Sequence, residues 1–213
     1  MSEPSPGLSE RKVSEKGLNV KKNGGKYSFF RYNALTLWLR KGGAAGLRPR
    51  KQWIMTMETK EITTKYEVLA HEELPAEDRA LVKRAMEATC RSYAPYSHFC
   101  VGAAIRLSNG ETVEGANQEN VAFPSGTCAE RSACYYAHAQ YPEARFEKIA
   151  VAARGTDGKF VPAPVAPCGA CRQALLEYEM LAGKPVEVLL VGEKEVYRLP
   201  SVASLLPFAF VEF

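Results

Sequence analysis

The sequence predicts an α/β fold, a mixed sheet of about five strands with helices on both faces. Two patterns carry that expectation. From Phe146 onward, β-rich apolar runs alternate with helical spacing, which implies parallel strands joined by a crossover helix. Upstream, Ser108-Asn109-Gly110 separates two β-rich runs and implies a hairpin, so antiparallel strands join the same sheet.

Taken in order, Ile62 to Leu69 alternates loosely and reads as a strand. Pro75 opens a helix with Glu77 and Asp78 in its first turn and Leu81, Val82, Ala85, Met86 and Ala88 at helical spacing. That helix ends before Tyr93-Ala94-Pro95. Cys100 to Leu107 is the next strand, and Asn109-Gly110 suits the two positive φ angles of a tight hairpin turn. Glu111 to Gly115 returns antiparallel, and Thr127 to Gln140 forms a helix. Phe146 to Arg154 is a buried strand, Cys168 to Leu181 a helix stopped by Gly183, and Val186 to Val191 a further strand. Ser201 to Leu206 reads as a short helix before an aromatic tail.

Composition narrows the class. The chain has 213 residues, 46% hydrophobic and 24% charged, the range of globular proteins that need no disulfide scaffold. No apolar stretch approaches the roughly 20 residues of a bilayer span, so no transmembrane helix is expected. Charge is unevenly spread. Residues 1–54 hold twelve Lys and Arg against three acidic residues, a net of +9, whereas the remainder nets −5. Residues 1–56 therefore read as a basic, disordered extension, with a targeting segment or an early start codon as alternatives, since Met55 and Met57 sit at the change in composition. The acidic remainder, residues 57–213, reads as the catalytic domain, and its charge argues against a nucleic-acid partner. No secretory leader is recognised, so a cytoplasmic location is expected, where closely spaced cysteines more often bind metal than pair.

The chemistry concentrates in Thr127-Cys128-Ala129-Glu130 and Pro167-Cys168-Gly169-Ala170-Cys171. Each cluster opens a predicted helix, where free amide groups and the positive end of the helix dipole favour thiolates. A C-x-x-C pair and one further thiolate leave the fourth tetrahedral position of zinc open, as in catalytic zinc sites. Glu130 is then the natural base beside a zinc-activated water. Glu130 can share the face of Cys128 only if Cys128 lies at the extreme N-terminus of its helix, because positions i and i+2 of a regular helix diverge. Arg131 and Arg172 follow the clusters directly, and a guanidinium on a ligand sulfur would offset the charge of three thiolates; for both, an ordinary surface role is the alternative. Cys90, Cys100 and Cys134 read as small core residues, and His98 as a packing residue and not a ligand.

These motifs resemble the zinc-dependent cytidine deaminases. Similar stretches extend from Ser92-Tyr93-Ala94-Pro95-Tyr96-Ser97-His98-Phe99 through Gly115-Ala116-Asn117-Gln118-Glu119-Asn120 to Leu205-Leu206-Pro207-Phe208, covering roughly Pro75 to Phe208. The resemblance implies a three-layer cytidine-deaminase fold of the short, homotetrameric type. It implies hydrolysis of cytidine and deoxycytidine to uridine and deoxyuridine, with ammonia released by a zinc-bound hydroxide. One Zn²⁺ per chain would be held by Cys128, Cys168 and Cys171, with Glu130 as the proton shuttle and Arg131 behind the sulfurs. Asn117 and Glu119 would bind the ribose 3′-hydroxyl, and the Ala129 backbone would meet the pyrimidine. Phe99 would pack on the substrate, and Phe208 would reach a neighbouring subunit's base. Phe123 stands where vertebrate-type members carry Tyr, which puts any hydrogen bond from that position in doubt. A deaminase of cytosine-nucleoside drugs, a nucleic-acid editor tethered by the basic arm, and an inactive structural zinc module are the rival readings. The tail from Leu205 either docks on a neighbouring chain or folds back as an edge strand.

Overall fold

Alternation along three central strands decides the architecture. In β2 (Phe99–Leu107), Ala103, Ile105 and Leu107 enter one core while Ala104 enters another. In β4 (Phe146–Gly155) and β5 (Glu187–Val191) the same period of two divides Ile149, Val151, Val188 and Leu190 from Ala150, Ala152, Leu189 and Val191. Both faces of these strands are thus apolar, and both need a covering layer. Helix α1 (Ala76–Ala88) covers one face through Leu81, Val82 and Ala85. Helices α2 (Ala129–Gln140) and α3 (Gly169–Ala182) cover the other through Ala133, Cys134, Ala137, Leu175 and Leu176. The result is the three-layer α/β arrangement. These statements come from a computed structural model that describes residues 58–211. The expectations for the basic arm, residues 1–56, lie outside the described residues.

The sheet has six strands in the order β1-β6-β5-β4-β2-β3, adding β1 (Glu67–Ala70), β3 (Thr112–Ala116) and β6 (Glu195–Leu199) to those above. Strands β4 and β5 are parallel with α3 as their crossover, and every other pairing is antiparallel. The parallel pair is the one the β–α–β order predicts. Strand β6 was not anticipated. Its five residues follow a turn closed by Gly192 N donating to Glu195 O at 2.9 Å, and only Val196 and Leu199 are buried.

Local chemistry sets the boundaries. Pro75 is the N-cap of α1, one residue outside the helix it was expected to open. Gly183 ends α3 in the left-handed conformation at φ +66°. The first strand is shorter than the alternation suggests, pairing with β6 only from Glu67. The hairpin turn also differs. Among the described non-glycine residues only His98 has positive φ, so Asn109 does not adopt the twin left-handed geometry. Gly110 alone does, at φ +86°, with its N–H donating to Leu107 O at 3.0 Å. This is a type I turn followed by a left-handed glycine, the usual three-residue hairpin loop. Asp78, only 3% exposed, receives both oxygens' hydrogen bonds from Lys148 Nζ at 2.7 Å, which clamps α1 to β4. Removing one partner of such a buried pair costs about 3–5 kcal/mol.

Candidate metal centre and active site

Cys128 and Cys168 are the N-caps of α2 and α3, with extended backbones at φ −76°, ψ 156° and φ −65°, ψ 164°. Each gives its carbonyl to the first helical bond, Ser132 N to Cys128 O and Arg172 N to Cys168 O, both at 3.0 Å. Neither sulfur is engaged in capping. Because Cys128 precedes the helix proper, Glu130 sits in the first turn directly behind it, and the conflict between helical positions i and i+2 does not arise.

The structure brings the three predicted sulfurs together: all lie within 4.8 Å of one another. Cys128 Sγ is 3.8 Å from Cys168 Sγ, which is 3.4 Å from Cys171 Sγ. Zinc–thiolate bonds of about 2.3 Å in a tetrahedron place sulfurs about 3.8 Å apart, so this donor set fits a zinc ion with one position left over. The thiols are unequal. Hydrogen bonding from Cys171, with Arg131 and Cys168 adding to it, overcomes burial and brings the Cys128 pKa down to about 5. Cys171, the proton donor of that pair and buried, is pushed up. The arrangement therefore stores negative charge where two helix dipoles point their positive ends.

Glu130 is 4% exposed, and burial holds its carboxyl above the ordinary range, the adjacent Cys128 charge adding to the effect. A carboxyl whose pKa is raised is a better proton acceptor than an ordinary carboxylate and can return the proton it takes. Arg131 approaches Cys128 Sγ at 4.0 Å, the place expected of it. Arg172 does not: its Nε donates to Pro167 O at 2.7 Å and a terminal nitrogen to Leu205 O at 2.8 Å, so it faces carbonyls and not sulfur.

The substrate-side residues come from three chain segments laced through Gln118. Gln118 exchanges both backbone bonds with Thr127 at 2.9 Å, while the residues flanking it, Asn117 and Glu119, bond Tyr93 at 2.9 and 2.8 Å. This ladder sets Asn117 and Glu119 beside the loop that leads into Cys128. The Asn117 side chain accepts from Val101 N at 2.8 Å and donates to Phe99 O at 2.9 Å, keeping one amide hydrogen and a carbonyl lone pair for other partners. Glu119 accepts from Tyr96 N at 2.9 Å and Ser97 N at 3.3 Å, and the Ser97 hydroxyl and the Tyr96 amide hold its carboxyl below the usual range.

Asn117, Glu119, Phe123, Cys128 and Arg131 line one cavity of about 290 Å³, at the lower end of ligand-sized pockets. Phe123 is 76% exposed at its rim and meets Tyr96 edge-on at 6.1 Å. Ala129 is fully buried as the first residue of α2, and Phe99 is exposed, at 37%, at the start of β2. Phe208 stands apart at 88% exposed, outside the lining of this cavity. Gln118, Asn120 and Thr127 also line the cavity; the sequence places them inside the same motifs but assigns them no role of their own. Two further expectations need correction. Cys90 is exposed and receives Arg154 at 3.5 Å, because it falls in a 3-10 turn after α1 and not on that helix's apolar face. His98 is exposed at φ +56°, so it is neither packed nor part of the sulfur cluster.

Comparisons with known proteins agree with this geometry. The family model described as "Cytidine and deoxycytidylate deaminase zinc-binding region" matches residues 75–182. A cytidine deaminase of Halalkalibacterium halodurans is 38% identical over 130 residues, 61% of this chain and 91% of that protein. One from Mycobacterium tuberculosis is 36% identical over 112 residues, 51% of this chain and 79% of its own length. The crystal structure of the Burkholderia pseudomallei cytidine deaminase aligns with a TM-score of 0.53 at 36% identity, covering 64% of this chain and all of that one. With the three sulfurs gathered at two helix starts and Glu130 behind them, the chain belongs to the cytidine and deoxycytidylate deaminase family, matched through its zinc-binding region.

Proposed function

We propose that the chain hydrolyses cytidine and deoxycytidine, consuming one water and releasing uridine or deoxyuridine and ammonia. The observation that carries this reading is the cluster of three sulfurs at two helix N-termini, with the buried Glu130 in the adjoining turn. Cys128, Cys168 and Cys171 hold one zinc ion per chain, which supplies a Lewis acid able to bring the pKa of water towards about 7. Glu130 takes one proton of the attacking water and delivers it to ring nitrogen 3. It then takes the second from the hydroxyl now on carbon 4 and delivers it to the departing amine, so that C4=O forms as the C4–N bond breaks and ammonia leaves. Its raised pKa suits both halves of that cycle. Arg131 disperses the charge of the thiolates, keeping the site electrophilic.

Asn117 and Glu119 orient the ribose 3′-hydroxyl, the Ala129 backbone meets the pyrimidine, and Phe99 and Phe123 pack against the nucleoside. A polymer's 3′ oxygen is esterified, so this reading takes free nucleosides. Residues 57–213 form the catalytic domain and residues 1–56 an extension of it; the family match falls wholly within the former. The enzyme assembles as a homotetramer in which Phe208 completes a neighbour's pocket, and the exposure of Phe208, Phe210 and Val211 supports a partner there. Among the described residues no helix is long and apolar enough to cross a membrane, and all six cysteines are free, in keeping with a cytoplasmic setting.

Zinc analysis combined with an absorbance assay on cytidine tests the proposal. About one zinc per chain and loss of the cytidine absorbance support it. A zinc-loaded chain inert on cytidine and deoxycytidine refutes it.

A further inference from the structure

The start of α3 carries two of the three sulfurs, and the same helix holds the C-terminal segment along its length. Arg172 Nε donates to the carbonyl of Pro167, the residue before Cys168, at 2.7 Å, while its other arm donates to Leu205 O at 2.8 Å. Gln173 pairs with the backbone of Phe210 on both sides, Nε2 donating to Phe210 O at 2.7 Å and Oε1 accepting from Phe210 N at 3.2 Å. Two turns further on, the buried Glu179 accepts from Val202 N at 2.7 Å and Ala203 N at 3.1 Å. Gln173 grips the tail, and Glu179 ties Val202 and Ala203 to Val186, whose N–H it accepts at 2.8 Å; neither contact involves the turn before Cys168. Arg172 alone of the three touches both the tail and the loop that sets the position of Cys168.

We infer that Arg172 is a positioning residue that couples metal binding at Cys168 and Cys171 to the docking of the Val202–Phe210 segment. This rests on the reading that the three sulfurs hold zinc. The physical basis is that a planar guanidinium with fixed donors ties two carbonyls into one geometry. If the tail leaves, Arg172 loses one of its two anchors and the Pro167 carbonyl, hence the Cys168 backbone, gains freedom. If zinc leaves, the Pro167–Cys168 turn loosens and the tail loses its hold. Linkage makes the two effects equal in size. Outer partners that orient a metal ligand typically change metal affinity about 10–100-fold when removed.

The test uses the full-length protein and two readouts independent of turnover. Zinc affinity is measured by competition with a chromophoric chelator, and amide hydrogen exchange is followed at Leu205, Leu206 and Phe210 with and without zinc. These amides donate to Val202 O, Ala203 O and Gln173 Oε1, so their exchange reports docking of the segment. In the parent, zinc slows exchange at these positions. Arg172→Ala lowers zinc affinity about 10–100-fold and abolishes that protection, and Arg172→Lys recovers part of both because an ammonium reaches one carbonyl. Unchanged affinity in Arg172→Ala overturns the inference, as does zinc protection of the tail that survives the substitution. Should Arg172→Ala not fold, identical tail exchange in the parent with and without zinc overturns it instead. A parent that binds zinc and shows the coupling but deaminates nothing removes the proposed activity and leaves the coupling standing. A parent that binds no zinc removes both.

Discussion

Gly115 and Ala129 meet backbone to backbone: a Cβ on Gly115 would fall 2.5 Å from the Ala129 carbonyl oxygen and 2.5 Å from Ala133 N. The first turn of α2 therefore rests directly on β3, and an absent side chain sets the position of Cys128 and Glu130. Gly115→Ala forces the helix off the strand. Overpacking of this kind costs about 1–3 kcal/mol, read as a fall of several degrees in Tm. Zinc content should fall with it, since the helix start carries Cys128. Parent-like Tm and zinc would show that the two elements tolerate separation.

Removing metal ligands should remove metal. Cys168→Ala together with Cys171→Ala leaves one sulfur of the cluster. Elemental analysis should then find essentially no zinc, against about one equivalent in the parent. The parent's Tm should drop on treatment with a strong chelator, because a ligand that binds only the folded state stabilises it by mass action. Zinc retained in the double variant would place the metal elsewhere.

Glu130→Gln is close to isosteric and should keep fold and zinc while losing turnover. General acid–base work contributes about 10²–10⁴-fold, which sets the minimum expected loss in kcat. A variant within tenfold of the parent rules out the shuttle role.

Glu114 gives a test by pH away from the sulfurs. Burial opposes ionisation there, but hydrogen bonds and charge from Arg84 and Arg91 prevail and hold the carboxyl below its ordinary value. The folded state thus favours the charged form. Its stabilising effect is complete above the ordinary carboxylate pKa of 4.5 and is lost as pH falls through the depressed folded value. Both arginines are well exposed, so screening limits the effect to about 1 kcal/mol or less. Glu114→Gln should lower Tm by a few degrees at pH 7 and narrow that gap on acidification below pH 4 or so. A gap that stays constant over that range would show the loss to be one of packing.

The tail makes a separate prediction. Phe208 and Phe210 are 88% and 63% exposed although the backbone of Phe210 is held by Gln173. The segment is not a strand, so folding back at the sheet edge does not bury these rings. Light scattering on the parent should return a mass near four chains. Deletion from Phe208 onward should lower both mass and activity, whereas an active, fully assembled truncation would show that the tail does neither job.

Much of this protein is written in local signals. Among the described residues, the periods of two and 3.6 placed five of the six strands and all three α-helices, because alternation and helical spacing report which face each residue buries. Residue chemistry alone marked Cys128, Cys168 and Cys171, since thiolates at helix starts have few other uses in this spacing. Strand β6 escaped because it is short and only Val196 and Leu199 on it are buried, so its partners β1 and β5 define it more than its own pattern does. The hairpin turn escaped because Asn-Gly permits several turns, and the register of β2 on β3 selects one in which Gly110 alone is left-handed. Arg131 and Arg172 each follow a cysteine motif directly, and residue chemistry allows either to face a sulfur, the sequence favouring Arg131. Only the tertiary structure sends one towards sulfur and the other towards the Pro167 and Leu205 carbonyls. The physical reason is that a long cationic side chain takes whichever acceptor lies within its reach, and what lies within reach depends on how distant segments pack. Sequence determined which groups can do the chemistry; packing, through contacts such as Gly115 on Ala129, decided where they meet.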